Sequence, residues 1–126
     1  IELVVGTQWI LGKTQSDLDE RREHNRRLLA FLYSTPAYER TLELFRWSEL
    51  APQLRALIRE QRWGDLSTLV TDEVLDTLVP QATFAQLPEV AIEWFNGLSD
   101  GILVAAPPDD SHDQLLKSAI HELRNR

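Results

Sequence analysis

The sequence predicts an α/β fold, mostly helical, carrying about two or three short strands of the parallel type. Three observations predict it. Ile1 to Val5 (IELVV) and Ile102 to Ala106 (ILVAA) are short apolar runs rich in branched residues, and the second reads as a strand buried on both faces, the habit of parallel sheets. Nearly everything between them carries helix punctuation. From Thr83 onward the order is helix, buried strand, helix, a βα-type unit. Two parallel strands need a long crossover, yet two strands alone cannot make a sheet with both faces under helices. Strands are therefore missing, and a chain that opens inside an apolar run without methionine is expected to be a piece of a longer protein.

The helices follow in order. Thr14 and Ser16 each stand three residues before an aspartate (Asp17, Asp19), two overlapping capping-box starts for a helix with Leu18, Leu28, Leu29 and Leu32 on one face. Acidic residues at its start and Arg21, Arg22, Arg26 and Arg27 in its middle suit the helix dipole and predict pairs such as Asp17 with Arg21 and Glu23 with Arg27. Ser34-Thr35-Pro36 then interrupts the pattern. Thr35 is expected to cap a second helix with Pro36 in its first position, where a missing amide costs nothing, and with Tyr38, Leu42 and Phe45 as its apolar stripe. The interruption re-aims the helix without unfolding it.

Ser48 is expected to cap the next helix, with Leu50, Leu54, Leu57 and Ile58 inward, and Trp63-Gly64-Asp65 to end it and open a short helix through Val70. Asp72 is expected to cap a helix carrying Val74, Leu75 and Leu78 that stops at Pro80. Thr83 with Gln86 is a further capping box, opening an amphipathic helix (Phe84, Leu87, Ala91, Trp94, Phe95) that ends at Gly97. Pro107 to Ser111 reads as a turn. Leu115, Leu116, Ala119, Ile120 and Leu123 line a last helix.

Composition narrows the function. With 126 residues, 43% hydrophobic and 26% charged, the chain falls in the range of one soluble domain. Its longest apolar runs fall far short of the roughly 18 residues a membrane span requires. No signal-peptide pattern opens it, so a cytoplasmic location is expected. Zero cysteines exclude disulfides, thiolate metal sites and cysteine nucleophiles. A net charge of -7 argues against a nucleic-acid surface, which needs clustered cation that is not cancelled nearby.

Chemistry is sparse. His24, His112 and His121 lie at no metal-ligand spacing and read as solvated helix positions. Ser34 and Thr35 lack an adjacent base and read as caps rather than nucleophiles. The arginine band is interleaved with Glu23 and preceded by Asp19 and Glu20, so it reads as a salt-bridged face rather than a phosphate clamp. Asp109-Asp110 reads as a turn before a helix cap rather than a cation site. Trp47, Trp63 and Trp94 read as core. Trp9 differs because it follows an apolar strand, and ligands sit at the C-terminal ends of parallel strands.

The stretch RRLLAFLYSTPAYERTLELFRWSEL, followed by TDEVLDTLVP and the terminal helix, strand and helix, resembles the C-terminal portion of the luciferase-like monooxygenase family. The likeness is nearest to the actinobacterial branch assigned the deazaflavin coenzyme F420 in place of FMN. It covers essentially the whole chain, and the arginine-rich helix running into STPAY is its most specific part. Where that family often has a Gly-Thr-Pro-type turn, this chain has Gln81-Ala82-Thr83-Phe84, which keeps a cap and loses the glycine.

The resemblance implies a (β/α)8 barrel of more than twice this length, of which residues 1–126 are a single C-terminal portion. Ile1 to Val5 is then a late barrel strand and Gly101 to Ala106 the last. Residues 35–80 become a helical insertion beside the barrel mouth, and 83–126 the last helix-strand-helix unit. It also implies a redox reaction between F420, or alternatively FMN, and a small organic substrate, with the cofactor bound by the full-length parent and no metal. No catalytic or cofactor-binding residue carries over. Thr7, Gln8 and Trp9 are the residues expected to face the mouth as substrate-pocket candidates. The expected partners are a small-molecule substrate and a second copy in a homodimer, with no nucleic acid and no membrane. A stand-alone helical binding or dimerisation module, such as the effector domain of a regulator, is the alternative; it explains the helices and leaves the apolar strands unexplained.

Overall fold

In a computed structural model that describes residues 1–104 and 110–126, the chain divides into two compact units. The first comprises Ile1–Arg21 with Asp76–Arg126, the second Arg22–Leu75.

Among the described residues the strands all lie in the first unit: β1 (Val4–Gly6), β2 (Ile10–Gly12), β3 (Gln81–Thr83) and β4 (Gly101–Leu103). They form two parallel pairs rather than one sheet. In one, Val4, Val5 and Gly6 stand opposite Gly101, Ile102 and Leu103; in the other, Ile10, Leu11 and Gly12 stand opposite Gln81, Ala82 and Thr83. The parallel habit expected of the two apolar runs is therefore present, with four strands in place of two or three. Each of the two runs contributes a shorter strand than its sequence pattern, and Ala105 and Ala106, with residues 107–109 of the expected turn, lie outside the described residues. The unexpected β2 is three residues long and fully buried, so it shows no alternation for a sequence pattern to register. Asp100 fastens the first pair from both sides: its carboxylate accepts the Leu3 amide at 2.7 Å, and its own amide donates to the Leu3 carbonyl at 2.8 Å.

Helix α1 (Gln15–Leu32) takes the first of the two overlapping starts that its sequence offers, at Thr14, and Ser16 lies inside it. The Thr14 hydroxyl accepts the Asp17 amide at 3.3 Å, and Asp17 Oδ2 accepts the amides of Lys13 and Thr14 at 3.0 and 3.1 Å. Those bonds, the Thr14 amide's foremost, hold the Asp17 carboxyl below its ordinary pKa. The second box of the first unit also forms, with Thr83 and Gln86 exchanging amide-to-side-chain bonds at 3.1 and 3.3 Å ahead of α5 (Leu87–Phe95). After α5 the chain turns at Gly97, whose φ of +79° is left-handed and favours glycine. A last helix, α6, spans Asp113–Arg124 of the described residues. Leu11, Ala82, Phe84, Leu87, Leu116 and Ala119 form one buried cluster, joining β2, β3, α5 and α6, and Trp9, Val90, Val104 and Ile120 pack around it.

The second unit is helical. α1 closes with two hydroxyls: Ser34 Oγ donates to the Phe31 carbonyl at 2.6 Å and Thr35 Oγ1 to that of Leu32 at 2.7 Å. This corrects the expected cap. Thr35 precedes a short 3₁₀ turn, Pro36–Tyr38, but its side chain reaches back to the last turn of α1 and caps nothing ahead. Each hydroxyl adds a second donor to a carbonyl that already accepts its own residue's amide, at 3.3 and 3.1 Å, which tightens the last turn. Pro36 does occupy the first position of that turn.

α2 (Glu39–Leu44) buries Leu42 fully, while Tyr38 and Phe45 of the expected stripe stay substantially exposed. α3 (Leu50–Arg59) follows Glu49, with no side-chain cap from Ser48, and buries Leu50, Ala51 and Leu54. Both helices end on a residue in the left-handed conformation, Arg46 (φ 64°) after α2 and Gln61 (φ 57°) after α3. In each case the next amide reaches back, Trp47 to Leu42 at 2.8 Å and Arg62 to Leu57 at 2.9 Å, the Schellman pattern without its usual glycine. A 3₁₀ segment, Trp63–Leu69, leads to α4 (Asp72–Leu78). Its cap is Thr71, whose hydroxyl accepts the Val74 amide at 3.3 Å, so the expectation that Asp72 caps it is also corrected.

Candidate functional site

Thr7, Gln8 and Trp9 form the link between β1 and β2, immediately past the C-terminal end of the β1–β4 pair. The three residues do not share one environment. Trp9 packs on the buried cluster and its ring lies 6.0 Å from that of Phe95 on α5, so it belongs with Leu11 to the face covered by helices. Ile10, the first residue of β2, is wholly buried and lies outside the cluster. Gln8 is half-buried, and its Oε1 is enclosed without a hydrogen-bond partner among the described residues. Trp9 Nε1 is likewise enclosed and unpartnered there.

Two further groups are of this kind, of which Ser99 was not singled out by the sequence. Ser99 Oγ, just before β4, and His112 Nδ1, just before α6, are both buried without partners among the described residues. The His112 ring meets Phe84 edge-on at 5.6 Å, so this histidine is tied to the core rather than solvated as expected. Its position directly before a helix was the one available signal. A groove of about 750 Å³ runs between β4 and the α5 and α6 helices, lined by Leu87, Phe95, Ser99, Ile102, Ile120 and Arg124 among others. Among the described residues no three metal-ligating side chains gather into a site, and no helix is long and apolar enough to cross a membrane.

In the second unit the arginine band forms the salt-bridged face that its interleaved acids suggested. Arg22 donates to Asp72 Oδ1 at 3.1 Å, and Arg26 donates to the same oxygen, to Glu23 at 3.2 Å and to the Val70 carbonyl. Glu23 thus meets Arg26, three residues on, in place of Arg27. Both guanidinium groups are largely buried while the carboxylate is mostly exposed, so the arginines are committed to the fold.

The hydrogen bond from Arg26, then that from Arg22, holds the Asp72 carboxyl below its ordinary pKa of 3.8. A carboxyl whose folded pKa is depressed stabilises fully above its unfolded value and loses that contribution as the pH falls through the folded one. The clamp therefore persists above 3.8 and drains away in more acid solution. In circular-dichroism scans against pH, Asp72→Asn should flatten part of the acid limb seen in the unsubstituted chain. Superimposable profiles would show that the clamp carries no pH-dependent stability.

No family model matches the chain, and no solved structure does. The uncharacterized proteins Rv1360 and MT1405 of Mycobacterium tuberculosis and Mb1395 of Mycobacterium bovis are each 34% identical to it over 74 residues. That stretch is 59% of this chain and 21% of each relative, so the match spans about a fifth of their length. Their names assign no activity.

Proposed function

We propose that these residues are the C-terminal part of a luciferase-like oxidoreductase, a barrel enzyme that uses a flavin or the deazaflavin F420 on a small organic substrate. The observation that carries the proposal is the pair of parallel strand pairs in an otherwise helical chain. Parallel strands are stable where both faces are covered and several strands lie side by side. β1 and β4 instead expose Val4 and Leu103, and Leu3 just before β1 is exposed as well. More chain is needed to complete such a sheet. Since 74 residues make up 21% of each relative, those proteins run to about 350 residues, long enough for a whole (β/α)8 barrel of roughly 250. A stand-alone helical module gives the parallel pairs no purpose.

When bound, a flavin-type ring supplies hydride or electron transfer. Among the described residues the enclosed Gln8 Oε1 presents no surface to such a ring, so no contact with it is assigned to this segment. The groups that perform the chemistry are assigned to chain outside residues 1–126, because a barrel site is assembled from the loops of many strands.

Fluorescence titration with FMN and with F420 tests the proposal. The full-length polypeptide should bind one of them at micromolar or better concentration, and the isolated segment should bind neither. Micromolar binding by the segment alone, or none by the full-length chain, would overturn it.

A further inference from the structure

We infer that the face of the β1–β4 pair bearing Val4 and Leu103 is an internal seam of the full-length protein, covered by bulky apolar side chains of strands that lie outside residues 1–126. The inference rests on the proposed function and adds to it which side of these strands looks inward. Register sets the face: Val4 stands opposite Gly101, and Gly6 opposite Leu103. A Cβ at Gly101 would stand 3.6 Å from Val4 Cγ2, and one at Gly6 would stand 3.4 Å from Leu103 Cδ1, so these four residues share one side of the pair. Alternation within each strand puts Val5 and Ile102 on the other side. Those two are half-buried, and Ile102 lines the groove beside α5 and α6. Val4 is 48% exposed and Leu103 63%. One side is therefore partly covered and the other is open, whereas parallel sheets are found with both faces covered.

The two glycines indicate what completes the open side. A glycine within a strand weakens it and marks a place where another group comes close. Among the described residues nothing comes that close: neither Gly6 nor Gly101 has a left-handed φ, and a Cβ on either would make only ordinary contacts with aliphatic side chains. The close approach is assigned to chain outside the segment. Each glycine leaves a hollow beside an exposed aliphatic side chain, which suits a bulky apolar neighbour rather than a charged one. Layers of such side chains, contributed by alternate strands, fill the interior of a parallel barrel. The relatives, at about 350 residues, are long enough to supply them.

The test uses the full-length polypeptide and N-ethylmaleimide, with labelling located by mass spectrometry of the peptide that carries the introduced thiol. Residues 1–126 contain no cysteine, so Leu103→Cys and, as an open control, Leu44→Cys at a position 80% exposed each place one thiol in the segment. The Leu103→Cys protein should label about a hundredfold more slowly than the control, since the reagent must wait for local opening. That protection should be the same with and without FMN or F420, and at every protein concentration. Labelling at a rate near the control's would overturn the inference. Protection that appears only with a cofactor overturns it in favour of a ligand, and protection that fades on dilution overturns it in favour of a second copy. If the cysteine variant does not fold, Gly101→Ala decides. Its melting temperature should fall in the full-length protein, and a level or raised value, the outcome for an open strand face, overturns the inference. A protein protected at this face that binds neither FMN nor F420 removes the oxidoreductase reading alone, whereas cofactor binding with an open Leu103 face removes the inference alone.

Discussion

Phe84→Ala is expected to destabilise the fold by about 4 kcal/mol, a large part of the 5–15 kcal/mol that typically holds a domain together. Phe84 is only 3% exposed and sits in the cluster that joins β2, β3, α5 and α6. Its ring also carries the edge contact to His112, and its amide donates to the Gly12 carbonyl at 3.0 Å. Truncation removes the ring and leaves a void among Leu11, Leu87 and Leu116, while the backbone bond remains. Phe84→Leu refills most of the volume and should cost only about 1.5 kcal/mol. Denaturant midpoints for both variants check the pair. Equal losses from alanine and leucine would mean that the aromatic contact, and not the volume, is what stabilises the site.

The second large effect comes from a single methyl group. Gly12→Ala should cost about 2 kcal/mol, because a Cβ at this position would stand 2.6 Å from Asp17 Cβ, closer than real atoms approach. The same Cβ would meet Leu18 at 3.4 Å, so α1 has no direction in which to give way freely. Moving Asp17 aside breaks the bonds it accepts from Lys13 and Thr14, and the start of the helix frays with it. The glycine is required here by close approach. A double-mutant cycle separates the clash from other causes: in an Asp17→Gly background the obstructing Cβ is gone, and Gly12→Ala should become nearly neutral. Additive losses in the cycle would rule the clash out.

Features written in one local pattern were legible in the sequence, and features that depend on a second segment were not. The boxes at Thr14–Asp17 and Thr83–Gln86 formed because both partners lie within a single turn. The caps assigned to Thr35 and Asp72 did not form, since a hydroxyl or carboxylate beside a helix start can serve the preceding helix or a distant arginine instead, and α3 starts without a side-chain cap from Ser48. The ends of α2 and α3 were hidden for a different reason: Arg46 and Gln61 take the left-handed conformation in which a sequence pattern looks for glycine. At the candidate site, the position of Thr7, Gln8 and Trp9 after a strand was readable. Which of them faces the helices was not, because that depends on where Phe95 packs.

The bond between Leu3 and Asp100 spans 97 positions of the chain. Closing a loop that long costs roughly 4 kcal/mol of chain entropy before any contact repays it, which places the β1–β4 pair late in folding. Synthesis makes the delay longer. At about 5–20 residues per second, a ribosome needs some 5–20 seconds after releasing β1 to deliver β4. Throughout that interval the edge of β1 that takes β4 has no partner. The opening residues of this segment are then bait for chaperones and for neighbouring nascent chains, and slowing translation before Gly101 should lower the yield of folded protein even though no residue has changed.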